Sequence, residues 1–158
     1  MTNRKPSFRL TDDEIWEFVA NAHTGIMTTL RRDGMPISMP LWFACIDRTI
    51  YVHTRGRKLQ RIAHDARTSF LVESGEKWAE LKAVHLTGRA ELIELHPPLE
   101  ALVTAETARK YDAFRTEPEQ MPARTASLYA ATMRSVRFTP DERVLSWDNA
   151  KLTRTKSA

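Results

Sequence analysis

Between residues 25 and 54 the chain offers three short β-rich segments whose connections are too tight for anything but antiparallel pairing. Residues 25–30 are rich in apolar and β-branched side chains. Arg31-Arg32-Asp33-Gly34 follows, and Asp-Gly is the strongest short hairpin signal, because its residues accept the positive φ that a tight hairpin turn needs. Residues 35–46 read as the returning strand and 48–54 as the next. Residues 68–73 and 80–93 continue the series. In the latter, Val84, Leu86, Ala90 and Leu92 alternate with His85, Thr87, Arg89 and Glu91, the period of a half-buried strand. Gly88 interrupts that face and marks a bulge or bend. Residues 131–138 and 143–147 are late strand segments. Strands do not alternate regularly with helices, which excludes a doubly wound parallel sheet. The expectation is a mainly β fold with a few helices, its antiparallel sheet closed or nearly closed into a small barrel so that exposed edges are removed.

Three helices accompany the strands. The first begins at Thr11: Thr11 and Glu14 form a capping box, Leu10 and Ile15 the hydrophobic staple around it, and Ile15, Phe18 and Val19 an apolar face. A short second helix carries Leu59, Ile62 and Ala63 on one face. Pro97 and Pro98 start a third, running to about residue 113, with Leu99, Leu102, Val103 and Tyr111 as core candidates. Residues 114–126 read as polar loop. The chain reads as one domain over 1–158, with a core over 10–152 and flexible arms at 1–9 and 153–158.

The 158 residues can bury a core without staples. A net charge of +4 suits an anionic ligand but falls short of a nucleic-acid-binding surface. Cys45 is the single cysteine, so no internal disulfide forms, and its apolar setting reads as a small buried side chain. The N-terminus lacks the apolar stretch of a secretory signal and no apolar run is long enough to span a membrane, which makes the cytoplasm the default compartment. The sequence holds no GxGxxG, GxxxxGK[ST], GxSxG or HExxH pattern. His23, His53, His64, His85 and His96 are dispersed, so no metal site is expected. Glu73, Glu76 and Glu80 read as solvated loop charges, and Trp16, Trp42, Trp78 and Trp147 as core or interface residues.

The chemistry concentrates at His53-Thr54-Arg55-Gly56-Arg57-Lys58. This is a strand-to-helix turn, so Arg57 and Lys58 fall in the first helical turn, where the helix dipole and free N–H groups favour negative charge. Cations placed there make sense if an anion binds, and phosphate is the usual one. Gly56 allows a tight turn and a close backbone approach. A second segment, Met39-Pro40-Leu41-Trp42-Phe43, lies on a strand where Pro36 and Pro40 cannot donate to a ladder, so it is an edge strand or carries a bulge. Alternation puts Ile37, Met39, Leu41 and Phe43 on one face and Ser38, Pro40, Trp42 and Ala44 on the other; one meets the core, and the other can present a flat surface to a ring system.

The order of an Asp33-Gly34 hairpin, Pro40-Leu41-Trp42-Phe43, Tyr51-Val52-His53-Thr54, Arg57-Lys58, Val72-Glu73 and Gly88-Arg89-Ala90-Glu91 resembles the pyridoxamine 5′-phosphate oxidase-like, FMN-binding split-barrel superfamily. The resemblance covers residues 11–95 well and 136–152 loosely. The Pro-Leu-Trp-Phe strand and Ser146-Trp147-Asp148-Asn149-Ala150-Lys151-Leu152 look most like the flavin/deazaflavin oxidoreductases, many of which use coenzyme F-420. It implies a split β-barrel of about six to seven antiparallel strands, in a homodimer with the cofactor at the subunit interface. It implies that Arg57 and Lys58 bind the cofactor phosphate, with Thr54, His53 and Arg55 beside it, and that Met39, Pro40 and Trp42 contact the ring. The expected activity is hydride transfer between F-420, or FMN as the close second, and a small organic substrate; no residue is assigned as a catalytic acid or base. Arg31, Arg32, Arg55 and Arg61 could meet the anionic tail that F-420 carries beyond its phosphate, which favours F-420. Ala83 stands where the oxidase proper has a glutamine, and the oxidase's arginine-bearing C-terminal region is not recognisable, which argues against pyridoxamine phosphate oxidation itself. The alternatives are a non-catalytic flavin- or haem-binding protein on the same barrel and a module that binds nucleic acid or another anion. The latter is disfavoured because basic residues and exposed aromatics do not interleave on one strand face.

Overall fold

The computed structural model describes residues 7–129 and 132–153. Seven antiparallel strands form one sheet: β1 (Gly25–Leu30), β2 (Pro36–Leu41), β3 (Ala44–Ile46), β4 (Thr49–Thr54), β5 (Arg67–Ser74), β6 (Lys82–Ile93) and β7 (Arg134–Asp148). Their order across the sheet is β2-β1-β5-β6-β7-β4-β3. This order by itself forces the sheet to roll up. β2 and β3 are the two opposite edges, yet only Trp42 and Phe43 join them. A flat sheet of this size would hold its edge strands about 29 Å apart, whereas two connecting residues span at most about 11 Å. The edges therefore come together, and the fold is a split barrel.

The barrel interior carries the core. Met27, Phe43, Ile50, Val52, Phe70, Val72, Val84, Leu86, Ala90, Val136 and Phe138 are all buried there, plugged by Ile15 and Val19 of helix α1 (Asp12–Asn21) and Ile62 of helix α2 (Arg57–His64). The Phe43 ring meets Phe70 edge-on at 4.9 Å, which ties the connection between the edges to the middle of the sheet. Helix α3 (Pro97–Tyr111) packs outside on β3 and β4, placing Val103 and Leu99 against Ala44 and Tyr51. Leu102, expected in the core, is 55% exposed, because α3 meets the sheet along Leu99 and Val103 and turns Leu102 to solvent. None of the tryptophans is buried either; Trp16 packs on the core's margin and Trp78 is 62% exposed. Cys45 is half-buried against the core, and burial pushes its thiol up to about 11, which leaves it unreactive at neutral pH.

The caps and turns follow their local sequence. At α1 the Thr11 Oγ1 accepts from the Glu14 N–H at 3.3 Å, the Glu14 carboxylate accepts from the Thr11 N–H at 2.7 Å, and Leu10 and Ile15 are both buried beside them. Lys151 of helix α5 (Ala150–Thr153) reaches the same carboxylate at 2.5 Å and donates to the Arg9 carbonyl. The Lys151 bond and the capping N–H together lower Glu14 to about 2. A carboxyl with a depressed folded-state pKa stabilises the fold above its unfolded value and loses that contribution as pH falls through the folded one. Glu14→Gln is therefore expected to cost about 1 kcal/mol at pH 7 and clearly less at about pH 2, where half of the folded-state carboxyl is protonated, as read by chemical denaturation at the two pH values. Equal costs at both would show that the bond does not depend on the charge.

The sequence joins or divides some elements differently from the fold. Residues 35–46 read as one strand but form two, and Phe43 and Ala44 are both buried where strict alternation would put one of them outside. Residues 131–138 and 143–147 read as two strands but belong to the single β7; the expected start at residue 131 lies outside the described residues. Residues 123–126, read as loop, open helix α4 (Ala123–Tyr129). The expected break at Gly88 is present: the β6–β7 register shifts between Leu86 and Gly88, and a Cβ at Gly88 would stand 2.2 Å from the Thr139 carbonyl oxygen. Of the expected arms, residues 1–6 and 154–158 lie outside the described residues. Phe8 is already held, its carbonyl accepting from the Asp148 N–H at 2.8 Å.

Candidate functional site

Helix α2 starts from Gly56, whose φ of 75° is open to glycine and strained for other residues. No side chain caps this end, and the first turn holds no acid. The N–H groups left free there are open to solvent or to a ligand. Arg57, Gln60, Arg61 and His64 recur at helical spacing and so share one face of α2, and that face meets the tip of the β1–β2 hairpin. The hairpin turn has the expected geometry, with Gly34 at φ 82° and the Arg31 N–H bonded to the Met35 carbonyl. Leu30, Arg31, Arg32 and Ile37 supply the opposite wall, and the open cavity between them measures 780 Å³, within the size range of cofactor and ligand pockets.

The electrostatics of this cavity are one-sided. Four arginines line it and no carboxylate does. Arg31 is paired with Asp33 at 2.7 Å, and Arg61 donates to the buried Thr29 hydroxyl at 2.7 Å, which fixes its guanidinium from below. Among the described residues, Arg32, Arg57 and Lys58 have no carboxylate within ion-pair distance. Burial, reinforced by repulsion from Arg61 and Arg55, pushes the Lys58 ammonium below its ordinary value. Arg32 and Arg57, both without a carboxylate partner, line the cavity, while Lys58 does not; unpaired cations beside an uncapped helix start suit a phosphate.

The other sequence candidates lie around this centre. Thr54 ends β4 and is buried; His53 beside it is exposed, with its ring nitrogen 3.1 Å from the Ser135 hydroxyl and its pKa lowered by burial of the ring against the sheet. Arg55 points away from the cavity: its guanidinium lies 4.5 Å from the Tyr129 ring centroid and donates to the Leu128 carbonyl, joining the β4–α2 turn to α4. Met39 and Pro40 lie exposed on β2, which is an edge strand as its prolines require. Ile37, Met39 and Leu41 share the face of Met27, but they are exposed or only half-buried, so the core face expected of β2 is carried by β1 instead.

Trp42 belongs to a different cluster. Its indole stacks on Tyr111 with centroids 4.5 Å apart and planes 6° from parallel. Tyr111 is fully buried, and its hydroxyl accepts from the Phe43 N–H at 2.9 Å with the carbonyls of His23 and Phe43 at 2.9 and 3.0 Å. Burial raises its phenol pKa. The platform under Trp42 is therefore rigid. Sequence reasoning did not find Gln60, His64, Leu30 or Ile37 as cavity walls; the 57, 60, 61, 64 spacing was a usable signal for the first two.

The sequence model of the pyridoxamine 5′-phosphate oxidase family matches residues 11–139. The chain belongs to this family. Solved structures agree on the fold. The conserved hypothetical protein Rv2991 of Mycobacterium tuberculosis is 28% identical with a TM-score of 0.76, covering 96% of this chain and 93% of that one. A FAD-binding protein of Mesorhizobium loti is 19% identical with a TM-score of 0.65, covering 87% and 93%. The haem storage protein HutZ of Vibrio cholerae is 14% identical with a TM-score of 0.64, covering 88% and 97%. No curated protein matches this chain. Within the family fold, the α2 cavity and the Trp42 platform are two features that a ligand could use.

Proposed function

We propose that this member of the pyridoxamine 5′-phosphate oxidase family is a cytoplasmic oxidoreductase that binds a phosphate-bearing flavin or deazaflavin, with coenzyme F-420 favoured over FMN. The observation that carries the reading is the cavity at the start of α2, lined by four arginines and no acid. Arg57 and Lys58 would hold the phosphate at the helix N-terminus, with Thr54 behind it. Arg31, Arg32 and Arg61 extend the positive surface beyond a single phosphate, which suits the longer anionic tail of F-420. Met39, Pro40 and Trp42 offer the flat edge along which the ring would lie. When bound, the ring supplies the hydride-exchanging centre; the chain supplies charge neutralisation, orientation and exclusion of water.

A second copy of the chain fits the outer face of the sheet. Pro40, Ile26, Leu71, His85 and Leu145 lie side by side across five strands. Leu145 is 51% exposed, and the buried His85 Nδ1 has no hydrogen-bond partner. Such a face suits a homodimer with its cofactors between the subunits.

The test is fluorescence titration of the purified protein with F-420 and with FMN. Tight F-420 binding together with hydride transfer to an added acceptor is the expected result. Preference for FMN would move the reading to a flavin enzyme. Cofactor bound without any hydride transfer would favour storage or sensing, the role that the name of HutZ gives for haem on a similar fold. Binding of neither would overturn the proposal.

A further inference from the structure

A second cavity, of 650 Å³, opens beside Trp42. Phe114, Met121 and Tyr129 wall it, all from the segment between α3 and β7. Phe114 and Tyr129 are 61% and 60% exposed, and Leu128 beside them 57%. Large aromatic side chains left open to water around a cleft mark a binding surface. The cleft is also held in shape. Trp42 is stacked on the hydrogen-bonded Tyr111, the His23 ring meets Phe114 edge-on at 4.7 Å, and Arg55 secures Tyr129 from the other side.

Its charge differs from that of the α2 cavity. Among the described residues, Arg115 and Glu117 are the charged side chains lining it. Arg115 is already paired with Asp112 at 3.0 Å and lies 6.0 Å from the Trp42 ring centroid. With Arg115 engaged by Asp112, the cleft presents aromatic rings and no unpaired cation. Its position complements the anion site: Ile37 lines the α2 cavity and Trp42 follows the last residue of β2. The two cavities therefore open toward opposite ends of one strand, about 16 Å apart along it. That spacing leaves room on β2 for a ring system between a phosphate at one end and a second molecule at the other.

We propose that the cleft between Trp42, Phe114 and Tyr129 is a second binding site, for an uncharged planar aromatic molecule of two or three fused rings. Calling that molecule the substrate rests on the cofactor reading above; its binding does not. The rings of Trp42, Phe114 and Tyr129 give it faces and edges to stack against. With its one lining cation already paired, the cleft gives an anionic ligand no partner to offset its desolvation.

Calorimetric titration of the cofactor-free protein with 2-naphthol, and with 2-naphthoate as the charged counterpart, tests this. 2-Naphthol should bind with micromolar affinity and 2-naphthoate more weakly. Phe114→Ala and Tyr129→Ala should each lower 2-naphthol affinity about ten-fold through loss of one aromatic wall. Both side chains are largely exposed, so the fold survives their removal. No 2-naphthol binding, tighter binding of 2-naphthoate, or affinity unchanged in both variants would each overturn the site. Repeating the titration with cofactor added separates the two claims. If no cofactor binds, the cofactor reading fails while the cleft stands on the 2-naphthol result; if 2-naphthol displaces bound cofactor, the cleft is the cofactor's own seat and the second site is overturned.

Discussion

Replacing Arg57 and Lys58 together by alanine is expected to weaken binding of a phosphate-bearing cofactor by about 2–4 kcal/mol, taking about 1–2 for each charge-assisted contact. Fluorescence titration of wild type and double variant reads the difference. The two side chains suit such a test because α2 is anchored elsewhere: Ile62 carries its burial in the core and Arg61 its bond to Thr29. Loss of affinity with an unchanged melting temperature would thus report on the ligand and not on the helix. Part of the effect should fade at high ionic strength, since the cavity is open to solvent and its cations are screened there. Unchanged affinity in the double variant would remove the anion site from this helix and leave the four-arginine cavity without a role.

Tyr111→Phe is expected to cost about 2–3 kcal/mol of stability, although it deletes a single oxygen. That oxygen serves the Phe43 N–H and the carbonyls of His23 and Phe43 where the chain crosses between the sheet edges. Phenylalanine leaves the Phe43 N–H and carbonyl buried and unsatisfied, and each such group costs about 1–3 kcal/mol. Denaturant unfolding measures the loss, and Trp42 emission should change as its platform loosens, because the indole rests flat on this ring. A cost near zero would mean that water reaches Phe43 and that the crossing is less enclosed than its 2% exposure indicates.

Wherever the physics is local, the sequence carried the structure. The Thr11–Glu14 box, the Asp33-Gly34 hairpin, the edge placement of β2 and the irregularity at Gly88 each depend on residues within a few positions of one another. Trp42 was misread as part of a continuing strand because alternation gives no sign that a strand is crossing to the far edge of its sheet. β7 looked divided because Pro140, Asp141 and Glu142 resemble a turn; opposite Gly88 they are taken up by a shift in register. α4 was missed because none of its residues is buried, so it has no apolar stripe to read. At the site, the basic strand-to-helix turn at Gly56 was legible from residues 53–58 alone. Its meeting with Arg31 and Arg32 depends on the hairpin tip leaning on α2, and the grouping of His23, Trp42, Tyr111 and Phe114 depends on α3 packing across β3. Neither leaves a periodic trace.

The prolines of β2 have one more consequence. Pro36, Ser38 and Pro40 lie opposite Leu30, Thr28 and Ile26, so their backbone groups share one side of the strand, and ladder pairing with β1 requires the two prolines to turn their nitrogens outward. Of three outward positions, only Ser38 keeps an N–H to offer. A foreign strand approaching this rim finds donors missing at alternate steps and cannot extend the sheet. The rim beside the arginine-lined cavity is thereby protected from fibre-like stacking between molecules while its side chains stay open to small ligands.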